Sequence, residues 1–109
     1  MLEAILGSRS AERVLAFLVA RDEGFAREIA RFYETGLSPI QRQLEKLEKA
    51  GVLAGREAGR TRLYTFDPRY PFLMELKALV GRALEFYPDE MRERLLMVRR
   101  RPRRKGKPN

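Results

Sequence analysis

The chain contains no cysteine and no histidine. Without cysteine there is no disulfide, no thiolate metal site and no cysteine nucleophile. Without histidine it lacks the commonest general base near neutral pH and the commonest transition-metal ligand. No phosphate-cradling Gly-x-x-x-x-Gly-Lys-Ser/Thr loop is present, and no nucleophile stands beside a base. The sequence therefore predicts no enzyme, no catalytic residue, no cofactor and no metal. No apolar run approaches the ~20 residues that a membrane span needs. The first residues, Met1-Leu-Glu-Ala-Ile-Leu6, lack the basic leader and apolar segment of a secretory signal. The expected location is the cytoplasm, with no membrane partner.

Acidic residues are also in the minority. Lys and Arg number 23 against 15 Asp and Glu, for a formal net charge of +8. Such an excess points to a polyanionic partner, and its placement matters more than its total. Residues 99–109 carry Arg99, Arg100, Arg101, Arg103, Arg104, Lys105 and Lys107 with no acid, so seven of the eight net charges lie there. That stretch has no apolar residue and is expected to be a disordered basic tail. The rest is nearly neutral, so an anion-binding surface on it must be a local patch. From Ser38 to Arg62, Arg42, Lys46, Lys49, Arg56, Arg60 and Arg62 stand against Glu45, Glu48 and Glu57. An apolar content of 44% over 109 residues suits one globular unit with a modest core.

Along the chain, Leu2, Ile5 and Leu6 form an apolar turn ended by Gly7. Ser8 or Ser10 then caps a helix with Glu12 in its first turn. Ala11, Val14, Leu15, Leu18 and Val19 give that helix a broad core stripe. Arg21-Asp-Glu-Gly24 reads as a loop, and Ala26, Ile29, Ala30 and Phe32 as a short helix. After a turn at 33–37, a helix over 38–50 is predicted, with Ser38 as cap, Pro39 at its first position and Gln41 closing a capping box. Gly51 stops it in the left-handed conformation. Ile40, Leu44 and Leu47 face a core, and Gln41, Arg42, Glu45, Lys46 and Lys49 face away. Val52–Ala54 and Arg62–Phe66 then read as the strands of a β-hairpin. Its tip, Gly55 to Thr61, carries Arg56 and Arg60, while Tyr64 and Phe66 belong to its packed side.

Asp67-Pro-Arg-Tyr-Pro71 breaks the strand, and a helix over 72–87 follows. It is apolar on more than one stripe, so it needs two surfaces to cover it. One is the chain itself. The other is expected to be a second copy, with Leu76, Leu79, Val80, Ala83, Leu84 and Tyr87 at a homodimer interface. The alternative is that the next helix, opened by Pro88-Asp-Glu90 and carrying Met91, Leu95, Leu96 and Val98, covers it. The fold class expected is mainly α with a β-hairpin wing. The expected divisions are a winged helix-turn-helix over 1–70, C-terminal helices over 71–98 and the tail over 99–109.

With these pieces in order, the chain from Leu2 to about Leu84 resembles a winged helix-turn-helix transcriptional regulator of the ArsR/MarR-like group. Within it, the likeness is to small bacterial and archaeal regulators whose winged-helix domain also occurs beside nucleotidyltransferases. The matching runs are Leu6-Gly7-Ser8, Ala26-Arg-Glu-Ile-Ala30, Ser38 through Leu53, Gly59-Arg-Thr-Arg-Leu-Tyr64 and Pro68-Arg-Tyr-Pro-Phe72. Two departures stand out. The connection from Ala30 to Ser38 is longer than the usual tight form. The Cys and His ligands of the metal-sensing members are missing, so metal sensing does not carry over.

The resemblance implies a transcriptional regulator that binds defined double-stranded DNA. The helix over 38–50 would lie in the major groove, and the wing over 54–62 on the flanking backbone or minor groove. Ser38, Gln41, Arg42 and Gln43 would then meet base edges. Pro39, Lys46, Lys49, Arg56, Arg60, Thr61 and Arg62 would meet the backbone. Glu45 and Glu48 would be solvated, Glu45 pairing with Lys49. A second reading, from another class, is a winged-helix module that docks protein or RNA without a specific operator.

Overall fold

The computed structural model describes residues 1–97; Val98 and the basic segment 99–109 lie outside the described residues. At the centre is α2 (Arg9–Arg21). Ser8 caps it, its Oγ accepting the Ala11 N–H at 3.0 Å, and Glu12 sits in the first turn. Val14, Leu15, Ala16, Phe17 and Leu18 are buried around almost the whole helix, well beyond one stripe. Helix α1 (Glu3–Leu6), ended by left-handed Gly7, packs on one side of α2. Also packed around it are α3 (Ala26–Tyr33), α4 (Leu37–Lys49), α5 (Leu73–Leu84) and α6 (Asp89–Leu96).

A three-stranded antiparallel sheet in the order β1-β3-β2 completes the unit, from β1 (Glu23–Phe25), β2 (Leu53–Ala58) and β3 (Thr61–Phe66). The expected loop at 21–24 is thus partly a strand. Asp22, at φ 72°, ends α2 and turns the chain back so that Gly24 pairs with Tyr64 of β3. Gly24 is needed there for space: a Cβ would lie 2.8 Å from the ring of buried Phe17. The hairpin is also tighter than expected. Ladder pairing runs from Leu53 opposite Phe66 to Ala58 opposite Thr61, so only Gly59, at φ 67°, and Arg60 form the turn. Arg56 is therefore a strand residue and Arg60 a tip residue.

The connection from α3 to α4 is short, not long. Glu34 takes the left-handed conformation at the end of α3, and residues 34–36 suffice for the turn. Consequently α4 starts at Leu37 with Gly36 in the cap position, and Ser38 lies inside the first turn. Pro39 is still tolerated, because N–H groups of a first turn have no intrahelical acceptor. Gln41 closes no capping box; its amide instead donates to Glu45 Oε2 at 3.4 Å. At the far end Gly51 is left-handed at φ 84°, as the sequence indicated.

Helix α5 is shorter than the predicted 72–87, and most of the apolar residues expected at a partner interface are used within the chain. Val80, Ala83 and Leu84, expected at a partner interface, are buried in the common core. Leu76 packs against that core. Tyr87, beyond the helix end, donates its hydroxyl to buried Glu12. Burial, then this hydrogen bond, pushes the Tyr87 phenol well above its usual range. Of the expected interface residues Leu79 stays exposed, at 39%. From α6, Leu95 enters the core, and Arg21 ties the helix end down by donating to the Leu95 and Arg94 carbonyls at 3.1 and 2.9 Å. The expected boundary near residue 70 falls between β3 and α5, and the helices beyond it share the core of those before it.

Candidate nucleic-acid interface

Ile40 and Leu44 of α4 are fully buried, which fixes the rotation of the helix. Its outer face then presents Ser38, Gln41, Arg42, Glu45, Lys46 and Lys49, all exposed; Pro39 and Gln43 lie half-buried on a flank. At 3.6 residues per turn, Arg42, Lys46 and Lys49 fall within an arc of about 60°. Among the described residues none of these three makes an ion pair, and the same holds for Arg56 and Arg60 on the hairpin. Thr61 is exposed beside them, its hydroxyl donating to the Ala58 carbonyl at 3.0 Å across the turn.

Arg62 is different. Its guanidinium grips Glu48 of α4 with two bonds, Nε to Oε1 at 3.2 Å and Nη2 to Oε2. It also donates to Glu57 Oε2 at 3.0 Å and to the Gly55 carbonyl at 3.1 Å. Glu48 is thus no solvated carboxylate: the bond from Arg62 holds its pKa below the ordinary range, and Glu48 in turn raises that of Arg62. Nor does Glu45 pair with Lys49, since Gln41 is its partner. These pairings tie Glu48 and Glu57 to one cation. Exposed and without ion pairs are Arg42, Lys46, Lys49, Arg56 and Arg60, with Glu45 as the acid among them.

Between the start of α3, the start of α4 and the hairpin lies a cleft of about 250 Å³. Gln41, Arg60, Thr61 and Arg62 meet there, whereas Arg42, Lys46 and Lys49 do not line it. Arg27 lines it too, exposed and without an ion pair. Sequence reasoning missed this residue, because the apolar spacing of Ala26, Ile29 and Ala30 drew attention to the buried face of α3. The helical spacing of Arg27, Glu28 and Arg31 on the side opposite Ile29 and Ala30 was the signal available. Tyr64 and Phe66 are buried, as the hairpin pattern implied. Among the described residues there is no group of three His, Cys, Asp or Glu side chains that could hold a metal. None of their helices is long and apolar enough to cross a membrane.

No family model and no curated protein sequence matches the chain. Solved structures do. Reduced HlyU from Vibrio cholerae is 20% identical with a TM-score of 0.60, over 79% of this chain and 84% of that one. YusO from Bacillus subtilis is 19% identical with a TM-score of 0.56, over 87% and 74%. The MarR family transcriptional regulator SPO1453 from Silicibacter pomeroyi is 24% identical with a TM-score of 0.52, over 77% and 65%. The fold is a winged helix. In its terms α3 and α4 are the helix-turn-helix pair, and β2 and β3 are the wing.

Proposed function

We propose that the protein is a transcriptional regulator that binds defined double-stranded DNA as a homodimer. The observation that carries this reading is the sorting of charge around α4 and the wing. Two of the three local acids are bound to Arg62, while three cations without ion pairs point outward from a helix narrow enough to enter a major groove and two more stand on the wing. Polyanion binding needs such unpaired cations, because a paired one has little charge left to offer. A structural neighbour described as a transcriptional regulator agrees with this reading.

With α4 in the groove, Arg42 and Gln41 are the base-reading side chains, Arg42 suited to guanine and Gln41 to adenine. Ser38 stands beside them. Gln43, half-buried, serves the flank. Lys46 and Lys49 meet phosphates, which set position without reading sequence. Pro39 borders that strand. Arg56, Arg60 and Thr61 bring the wing to the flanking backbone, and Arg27 joins them from α3. Arg62 leaves this set, since its donors are spent within the chain.

The dimer surface is not the one the apolar count suggested. Phe72, Leu79 and Phe86 recur at seven-residue spacing and are exposed at 61%, 39% and 60%. In an antiparallel pairing of two such segments about a two-fold axis at Leu79, Phe72 meets Phe86 of the second copy. One surface is then its own complement, as a two-fold interface requires. Two recognition helices would read half-sites about one turn apart, ~34 Å, in a near-palindrome.

Selection of bound duplexes from a random DNA pool tests the reading. Recovery of a near-palindromic consensus is expected. Equal binding to RNA, single strands and every duplex would overturn it.

A further inference from the structure

We infer that Arg62 is a positioning residue that clamps the wing to the recognition helix, and that this clamp sets which DNA sequences are accepted. The part that concerns DNA rests on the proposed function; the clamp itself does not.

The geometry is that of a filled guanidinium. Arginine has five N–H donors. Four are engaged: two on the Glu48 carboxylate, one on the Gly55 carbonyl and one on Glu57. The acceptors lie on α4 and on β2, while Arg62 itself stands on β3. One side chain thus joins the last turn of the base-reading helix to both strands of the wing. The paired fork on Glu48 fixes direction as well as distance, which a lysine could not do.

Two further observations favour a clamp over a DNA contact. First, the cluster holds two carboxylates for one guanidinium, a net charge of −1. Turning Arg62 toward a phosphate would leave Glu48 and Glu57 uncompensated beside a polyanion. Second, the wing makes room for this side chain. A Cβ at Gly55 would lie 2.6 Å from Arg62 Nε and 3.0 Å from Cζ. Gly55 is thus the floor on which the guanidinium rests.

The test uses the full chain and the substitutions Arg62→Gln, Glu48→Gln and Gly55→Ala. In the free protein, backbone amides over 54–61 should exchange roughly tenfold faster in each variant, while α2 amides are unchanged. Unchanged exchange in the wing overturns the clamp, with or without DNA. Next, affinity is measured over a range of salt for a duplex recovered by random-pool selection and for its scrambled form. Arg62→Gln and Glu48→Gln should each cut the ratio of selected to scrambled affinity roughly tenfold. Arg62→Gln should leave the slope of log affinity against log salt almost unchanged, whereas Arg60→Gln should flatten it by about 0.9. If Arg62→Gln flattens the slope as Arg60→Gln does, and Glu48→Gln keeps full discrimination, Arg62 is a phosphate contact and the inference fails. If the unaltered protein prefers no duplex, the regulator reading fails, and the exchange data alone judge the clamp.

Discussion

The outer faces of α4 and α5 are both solvent-exposed helix surfaces on the same core, yet their chemistry is opposite. That of α4 has no exposed large apolar residue and carries Arg42, Lys46 and Lys49; α5 exposes Met74 and Leu79, with Phe72 and Phe86 exposed just beyond its two ends. A hydrated cationic face suits a partner that remains hydrated, such as a phosphate backbone. An apolar face of this size suits removal from water by a like surface. On the proposed reading, one small fold separates two kinds of recognition by helix, and each should fail independently of the other.

The largest effect expected comes from the inner side of α5. Val80→Glu places an unpaired carboxylate in a fully buried position and should cost about 3–5 kcal/mol of folding free energy. Loss of the cooperative thermal transition would show it. Leu79→Glu, one residue earlier, should leave the transition almost in place and convert dimer to monomer in sedimentation at micromolar concentration. If Leu79→Glu unfolds the chain or leaves the dimer intact, the assignment of inner and outer sides is wrong. On α4, Arg42→Ala should lower preference at one or two base positions by roughly tenfold to a hundredfold. Arg60→Ala should instead weaken selected and scrambled duplexes by a similar factor. Competition binding with the two DNAs separates these outcomes, and identical behaviour of the two variants would remove the distinction between helix and wing.

The smallest effect concerns pH. Arg62 lowers the pKa of Glu48, and Arg69 lowers that of Asp67, which also accepts the Arg69 N–H at 2.9 Å. Both carboxyls therefore contribute stability above their unfolded pKa values, lost as pH falls through the folded ones. The melting temperature should be flat from neutral pH to about 5 and decline below about 4. Because the Glu48–Arg62 pair is partly exposed, Glu48→Gln should lower it by only about 3 °C at neutral pH. That gap should close in acid; a constant gap would show that the charge on Glu48 is not what matters.

How much of this was legible in the sequence follows from the range of the interactions. Gly7 and Gly51 mark helix ends by their own backbone freedom, and Ile40 with Leu44 fixes a buried side by spacing, so all of these could be read locally. Three-residue β1 could not: Glu23-Gly-Phe25 has no period, and it is a strand because β3 offers it an open edge. The start of α4 moved because Glu34 adopts a left-handed conformation that its residue type does not announce. Arg62 looked like its neighbour Arg60, since its main partner lies 14 residues away and only the fold brings it near. On α5 the composition indicated two apolar sides correctly. Which side faced inward depended on how the helix docks on α2, so Val80, Ala83 and Leu84 were assigned to the wrong one. The exposed face of α4 was the most legible part of the candidate site, because one buried stripe determines the opposite face.

The tight hairpin makes the wing a ruler. Six paired residues per strand, with a turn of only Gly59 and Arg60, give it a length of about 20 Å. Half a turn of duplex is about 17 Å. On the proposed reading, the wing tip reaches the neighbouring minor groove when α4 lies in the major one. This length can change only in steps. Adding one residue to each strand would lengthen the ruler by ~3.4 Å but turn the tip side chains to the opposite face. Adding two would keep their facing and shift them by ~7 Å along the duplex. The spacing between the groove that is read and the groove that is touched is thus quantised by the pleat of the sheet.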